Sequence, residues 1–225
     1  MGLFVCIEGI DGSGKSTVAN QVCEILNQSQ ANSACLLDRK NTEYDSEYLS
    51  SLMTDFKNVL WKEGIGKPVR EVTDHGWLFF HAAWYTIVAA NTLPRRLETY
   101  EYVLMDGWIY KIMSRFMAKG DFDTDLVSRI FEHLPRGDKI FFLEASPAIC
   151  YERKTSFTDA EIGENEGISG EVKDRFISYQ AKVLECYKAL SVQNNWQTVD
   201  ASEKNAEDVS KIIAHQLLSG AVHNV

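Results

Sequence analysis

The chain has 225 residues, of which 45% are apolar, and its 23 basic and 32 acidic side chains give a net charge of −9. This length and apolar content fit one domain with a single large core. The acidic balance disfavours a broad surface for nucleic acid polymers, because such binding depends on neutralisation of phosphates by Lys and Arg. It leaves room for a local basic pocket that takes a small anion.

The cysteines and the first residues indicate the expected compartment. The five cysteines are widely spaced and form no C-x-x-C pair, which indicates neither a disulfide framework nor a zinc site. The first apolar run soon carries Glu8 and has no basic start, and no apolar stretch reaches the roughly 18 residues of a membrane helix. We therefore expect a cytoplasmic protein without a membrane partner.

Short apolar runs alternate with longer helical patterns along the chain, which predicts an α/β fold with a five-stranded parallel sheet flanked by helices. The predicted strands are 3–7, 34–37, 102–105, 140–143 and 196–199. The predicted helices are 15–28, 47–62, 72–91, 109–119, 125–133, 147–153, 170–191 and 206–218. The glycine-rich, acidic stretch 155–170 interrupts the pattern and predicts a mobile, lid-like loop at about 154–170.

The segment that follows the first predicted strand reads GIDGSGKST and satisfies the motif G-x-x-x-x-G-K-[ST] at the start of a predicted helix. In this motif, backbone N–H groups and the helix start bind phosphate oxygens, Lys15 reaches the β- and γ-phosphates of ATP, and Ser16 ligates Mg²⁺. The alternative is a strand-to-helix turn without a ligand, and the agreement of spacing, lysine, strand and helix disfavours it. The predicted nucleotide-binding residues are Gly9, Asp11, Gly12, Ser13, Gly14, Lys15, Ser16 and Thr17.

A second candidate is Asp106, which ends the apolar run VLMD. A neighbouring strand often delivers a carboxylate to the magnesium or to the acceptor at this point. Aspartate is also common in turns, so the pattern gains its weight from the phosphate loop. We predict catalytic and Mg²⁺-binding roles for Asp106, with Lys15 also catalytic, on a three-layer P-loop NTPase fold that spans residues 1–225 as one domain.

Four segments together resemble the thymidylate kinase family: FVCIEGIDGSGKST at 4–17, LLDR at 36–39, VLMD at 103–106 and WQTVDAS at 196–202. They follow one another in the order that the family shows and span most of the chain. The resemblance implies transfer of the γ-phosphoryl group of MgATP to a nucleoside monophosphate, usually dTMP. It also implies a cytoplasmic homodimer with a five-stranded parallel core.

The family's site residues can be carried over position by position. The resemblance implies that Asp11 faces the acceptor sugar, that Arg39 holds the acceptor phosphate and that Phe80 stacks on the thymine ring. The residues near the adenine are by the same match Ala201 and Ser202. The alternatives are a core position for Phe80, at helical spacing, and a solvated turn for Arg39.

The chain also departs from the family. The family motif D-R-[YW] reads Asp106-Gly107-Trp108 here, so its arginine is missing, and Trp84 stands where the family usually has an arginine near the base. Residues 155–170 contain no basic side chain, although relatives with this loop normally supply a lid arginine. An arginine at the transferring group can be worth roughly 10³–10⁵ in rate, so an active kinase would need other cations.

Candidate replacements lie nearby in the sequence. Lys111 and Arg115 are spaced i, i+4 on the predicted helix after Asp106, so both can face the acceptor. Arg153 and Lys154 stand at the entrance of the lid-like segment, and we predict a catalytic role for Arg153. The alternatives are an exposed helix face for Lys111 and Arg115, and a simple ion pair for Arg153.

Three functions follow from these patterns. The first, which we favour, is a kinase for dTMP or a similar nucleoside monophosphate. The second is a P-loop kinase for an unphosphorylated nucleoside or another small hydroxyl compound, which the missing arginine and the aromatic Trp84 would allow. The third is a protein that binds ATP without transferring its phosphate. The predicted acceptor-binding residues are Asp11, Arg39, Phe80, Trp84, Lys111 and Arg115.

Overall fold

The structure, a computed structural model, describes residues 1–61 and 71–221. Within these ranges the chain forms five strands: β1 (Leu3–Glu8), β2 (Ala34–Leu36), β3 (Tyr102–Asp106), β4 (Lys139–Glu144) and β5 (Gln197–Asp200). They pair in parallel as one sheet in the order β2-β3-β1-β4-β5. Each predicted strand is confirmed to within one residue at either end, and so is the predicted α/β fold.

The strand order places the ends of β1 and β3 where the chain changes direction across the sheet. From β1 the chain runs to the edge strand β2, returns to β3 beside β1, and then continues to β4 on the other side of β1. Loops that leave adjacent strands in opposite directions open a crevice at the carboxyl ends of those strands. The loop after Glu8 and the carboxylate of Asp106 therefore meet at this crevice.

The central strands are apolar because helices cover both of their faces. In β1 the side chains of Phe4, Val5, Cys6 and Ile7 are all buried. The helices in the described residues are α1 (Lys15–Ser29), α2 (Glu47–Trp61), α3 (Asp74–Asn91), α4 (Leu93–Thr99), α5 (Tyr110–Met117), α6 (Thr124–Ile130), α7 (Pro147–Glu152), α8 (Val172–Gln193) and α9 (Ala206–Ala221). A short 3₁₀ helix, Glu164–Glu166, lies in the lid-like segment.

Helix α4 was not predicted, and its proline explains the omission. Pro94 lies in the first turn, where the missing N–H removes no helical hydrogen bond. The short helix buries Leu93 and Leu97 against the core. Proline was therefore compatible with a helix at this position.

Several predicted helix ends were wrong by up to three residues. Helix α3 begins at Asp74 instead of residue 72, since the hydroxyl of Thr73 accepts a hydrogen bond from the Gly76 N–H at 3.2 Å. Asp123 caps α6 in the same way, and that helix ends at Ile130 instead of residue 133. Helix α5 covers 110–117 instead of 109–119, and α8 begins at Val172 instead of residue 170. The predicted end of α2 at residue 62 lies outside the described residues.

None of the helices in the described ranges combines the length and the apolar character that crossing a bilayer requires.

The fold rests on close packing around the central strands, which gives a first prediction. Phe141 on β4 is fully buried, so Phe141→Ala should lower the free energy of unfolding by about 3–5 kcal/mol through lost contacts and a residual cavity. Urea unfolding monitored by circular dichroism measures this change. Val192→Ala, at a side chain that is 83% exposed, is the control and should change stability little.

Candidate active site

The phosphate loop joins β1 to α1 and depends on glycine at two of its positions. Gly12 and Gly14 have φ angles of 84° and 95°, a region that side chains disfavour. A Cβ atom at Gly12 would also lie 2.5 Å from the carbonyl oxygen of Cys150 on α7. Only glycine at position 12 lets the loop approach α7 this closely.

The side chain of Lys15 folds back over the phosphate loop. Its side chain is buried, and its Nζ donates a hydrogen bond to the carbonyl oxygen of Ile10 at 2.7 Å. The buried hydroxyl of Ser13 has no hydrogen-bond partner among the described residues. The loop thus holds an ammonium group and an unused hydroxyl beside its backbone N–H groups.

Ser16 and Asp106 approach each other where α1 begins and β3 ends. The hydroxyl of Ser16 donates to Oδ2 of Asp106 at 2.5 Å. These are the hard oxygen ligands that Mg²⁺ prefers, and Mg²⁺ usually takes only one or two protein ligands together with substrate phosphates. In the described part of the chain, no cluster of three or more His, Cys, Asp or Glu side chains could hold a metal ion alone. The pair therefore fits Mg²⁺ that arrives with a nucleotide.

Arg39, just beyond β2, is fixed to the end of β3. Its Nη1 donates to the carbonyl oxygens of Asp106 and Gly107 at 2.6 and 2.8 Å, while its Nε is buried without a hydrogen-bond partner among the described residues. Trp84 supports it from behind, because the buried indole Nε1 donates to the carbonyl oxygen of Arg39 at 3.0 Å. The predicted solvated turn is thus not what the structure shows for Arg39.

Gly107 is enclosed by cations although it carries none itself. Its φ angle is 80°, and a Cβ atom at this residue would lie 3.3 Å from Nη1 of Arg39 and 3.9 Å from Cβ and Cδ of Lys111. The space in which a side chain of residue 107 would begin is therefore bordered by a guanidinium group and a lysine side chain. Residue 107 lacks the arginine of the family motif, but two other cationic side chains lie beside it.

Asp11 lies inside the phosphate loop and pairs with both predicted cations of α5. Its Oδ1 is 2.6 Å from Nζ of Lys111, and its Oδ2 is 2.7 Å from Nη2 of Arg115. Burial opposes ionisation, but the charges of Lys111 and Arg115 outweigh it and hold the pKa of Asp11 well below its usual range. Asp11 is thus an anion shared by two cations, and the predicted exposed face of Lys111 and Arg115 is excluded.

The two cations differ in their surroundings. Burial, opposed by Asp11 but assisted by the nearby charges of Arg115, Lys15 and Arg39, lowers the pKa of Lys111 to about 7. Arg115 keeps its charge, because Asp11 more than offsets the effect of burial on its pKa. Lys111 is therefore the group of this cluster that titrates near neutrality.

Gln180 on α8 links the phosphate loop to the lid-like segment. This fully buried side chain accepts from the Asp11 N–H at 3.2 Å and donates to the carbonyl oxygen of Glu161 at 2.9 Å. The carboxylate of Glu161 pairs with Lys154 at 3.1 Å, and that of Glu166 pairs with Lys119 at 2.9 Å. Acidic side chains thus anchor the segment, whose mobility stays a prediction.

Arg153 is turned toward the loop that follows β5. Its Nη2 donates to the carbonyl oxygens of Ala201 and Ser202 at 2.7 and 3.0 Å. The predicted ion pair with a neighbouring acid is not formed. Arg153 instead fastens α7 to the residues that the sequence places near the adenine.

Sequence reasoning did not identify Glu8 as part of this region. Its buried carboxylate accepts from the Trp108 N–H at 2.6 Å and from the Tyr187 hydroxyl at 3.0 Å. Burial raises the pKa of Glu8 in spite of these bonds. An acid inside an otherwise apolar strand was the available signal, whereas Gln180 offered none.

Most of the predicted site residues border one cavity of about 600 Å³ at the carboxyl edge of the sheet. The predicted residues that line it are Asp11, Gly12, Ser13, Gly14, Lys15, Ser16, Thr17, Arg39, Asp106, Lys111, Arg153 and Ala201. Others lie outside its wall: Arg115 sits behind Asp11, Trp84 is buried behind Arg39, and Phe80 packs edge-on against Phe56 and Trp77. Gly9 and Ser202 are also outside the wall, and their predicted roles, like that of Phe80, stay predictions.

Known proteins were compared with this chain in sequence. No family model matches it. It is 24% identical to the probable thymidylate kinase 2 of Saccharolobus solfataricus, over 96% of this chain and 97% of that protein. It is 26% identical to the thymidylate kinase of Blochmanniella pennsylvanica, over 95% and 94% of the two chains.

Solved structures with the same fold include the thymidylate kinase from Candida albicans, with a TM-score of 0.67 at 17% identity over 99% of this chain and 94% of that one. The thymidylate kinase from Ehrlichia chaffeensis also has this fold, with a TM-score of 0.64 at 15% identity over 97% of this chain and 98% of that one. The chain is thus similar to thymidylate kinases over nearly its whole length, in sequence and in fold. The predicted resemblance is thereby confirmed, and the glycine at position 107 is the notable departure from the family motif.

Asp11 gives a second prediction. Asp11→Asn should lower the free energy of unfolding near pH 7 by roughly 3 kcal/mol, because two partly buried cations lose their counter-charge. The depressed pKa of Asp11 contributes stability that is present above the unfolded value of about 3.9 and is lost as the pH falls toward the folded value. The difference in the free energy of unfolding between wild type and Asp11→Asn should therefore be smaller near pH ~3 than at neutral pH.

Urea unfolding at both pH values measures this effect. Asp45→Asn is the matched control, since Asp45 also pairs with an arginine, Arg95, but is 82% exposed, and such pairs contribute little. Equal losses for both variants, or a gap that widens at low pH, would contradict the assignment.

Proposed function

We propose that this protein is an ATP-dependent nucleoside monophosphate kinase that transfers the γ-phosphoryl group of ATP to dTMP or a similar monophosphate. The observation that carries the proposal is the meeting of a complete phosphate loop with the cations Arg39 and Lys111 in one cavity. The names of the relatives support the choice of acceptor. We further propose one kinase domain over residues 1–225, with a lid-like segment at 154–170, acting as a cytoplasmic homodimer.

On the donor side, the phosphate loop binds the triphosphate through its N–H groups. Lys15 exchanges the carbonyl oxygen of Ile10 for a phosphate oxygen, and the free hydroxyl of Ser13 gains a partner. Ser16 and Asp106 hold Mg²⁺, which neutralises developing charge on the phosphates when it is bound. Arg153 keeps the 201–202 segment in place for the adenine.

On the acceptor side, Arg39 and Lys111 line the cavity together with Asp11 of the phosphate loop. Arg39 is held by two carbonyl oxygens and lines the cavity, where its guanidinium group can face an anion. Positioned cations of this kind stabilise phosphoryl transfer without rearranging as charge develops. Arg39 and Lys111 thus supply the positive charge that an arginine at residue 107 supplies in the family.

Lys15 tests the donor side. Lys15→Ala should lower kcat by roughly a hundredfold or more, because a positioned charge on the transferring group is lost. Steady-state turnover with MgATP and a panel of dTMP, dUMP, other monophosphates and thymidine measures it. Lys211→Ala, an exposed lysine of α9, is the control and should keep wild-type rates. Transfer to thymidine but to no monophosphate would refute the proposed acceptor class.

Arg153 separates binding from chemistry. Arg153→Met should raise the KM for ATP roughly tenfold, with little change in the acceptor KM, since charge-assisted bonds to the 201–202 carbonyls are lost. Arg153→Lys should show an intermediate effect, because lysine lacks the planar fork that reaches several acceptors. A fall in kcat with unchanged ATP KM would instead assign Arg153 to the transferring group.

A further inference from the structure

The wall of the acceptor side holds one more positive charge than its own carboxylate can neutralise. Asp11 carries one negative charge and is bonded by both Lys111 and Arg115. Burial of an uncompensated charge is costly unless a ligand or water faces it. The cluster therefore has an excess charge that an anion in the cavity would stabilise.

Geometry distinguishes the two cations. Arg115 pairs with Asp11 from behind and does not line the cavity, whereas Lys111 lines it beside Arg39. The ammonium group of lysine has three donors, and the bond to Asp11 accounts for one of them. Arg115 therefore serves as the counter-charge of Asp11, and Lys111 has donors left for a ligand.

The stem of the Lys111 side chain runs beside Gly107. Its Cβ and Cδ lie 3.9 Å from the position that a Cβ atom of residue 107 would occupy. Nη1 of Arg39 lies 3.3 Å from the same position. Lys111 and Arg39 therefore flank Gly107 at the cavity that both of them line.

Resting on the proposed function, we propose that Lys111 is the specificity-determining cation for the acceptor phosphate and that phosphate binding is coupled to uptake of a proton by Lys111. The phosphate adds negative charge beside an ammonium group that is half discharged at neutrality, so it draws a proton onto Lys111. The acceptor then binds tightly below neutrality and weakly above it.

The charged and titratable groups around Lys111 agree with this direction. Lys15, Arg39 and Arg115 disfavour its charge, and Asp11 favours it. On α8, burial raises the pKa of Tyr179 and Tyr187, which keeps both neutral. The remaining charged groups of the cavity wall are Asp38, Lys40, Asp106, Arg153, Lys154, Glu161 and Lys204.

The test measures the dissociation constant of dTMP by calorimetry between pH ~6.5 and ~9, a range in which dTMP is mainly dianionic because its second pKa is about 6. A group that titrates at about 7 and must be protonated for binding predicts a dissociation constant about 15-fold larger at pH ~8.5 than at pH ~7. The same titration in buffers of different ionisation enthalpy should show proton uptake on binding. Thymidine, which lacks the phosphate, should show neither effect.

Three variants locate the proton. Lys111→Arg keeps the charge over this range, so its affinity for dTMP should be independent of pH. Lys111→Met should bind dTMP weakly, and its affinity should also be independent of pH. Lys40→Met removes another lysine of the cavity wall whose pKa burial lowers, and it should retain the wild-type profile. Circular dichroism confirms the folding of each variant.

An unchanged pH profile in Lys111→Arg and Lys111→Met, or its loss in Lys40→Met, would overturn the inference. A wild-type enzyme that phosphorylates dTMP but binds it independently of pH would overturn this inference alone. A wild-type enzyme that phosphorylates no monophosphate at all would overturn the proposed function.

Discussion

Positive charge is concentrated at one edge of the sheet, and the site depends on how the fold tolerates it. Lys15, Arg39, Lys111 and Arg115 converge there, and their mutual repulsion would oppose folding without compensation. Asp11 offsets two of them directly. Lys15 and Arg39 instead donate to backbone carbonyl oxygens, which neutralise no charge, and Arg39 also forms a longer ion pair with Asp106 at 3.9 Å.

Backbone carbonyl oxygens and buried acids thus play different structural roles in the site. Glu8, below the loop, fixes the start of the chain after Gly107 through the Trp108 N–H and reaches α8 through Tyr187. Gln180, about two turns away on α8, bonds the Asp11 N–H and the Glu161 carbonyl oxygen of the lid-like segment. Helix α8 therefore connects β1 and the phosphate loop with the lid-like segment.

The sequence predicted the phosphate loop and the strands, but not the contacts of the predicted acceptor residues, for a physical reason. The phosphate loop is contiguous from Gly9 to Thr17, so its spacing alone carries the signal. The bonds of Arg39 to the Asp106–Gly107 carbonyls join distant segments and leave no local pattern. The strands were predictable from their burial on both faces. The start of α3 was not, because a single capping residue, Thr73, decides it.

The enclosure of Gly107 also constrains how the sequence can change. Arginine at this position would have to adopt a left-handed backbone and compete with Arg39 and Lys111 for space and charge. Reintroducing the family's arginine by one substitution would therefore disturb two cations that already occupy its surroundings. The effect of any residue at 107 is thus conditional above all on residue 39, whose Nη1 would lie 3.3 Å from its Cβ atom.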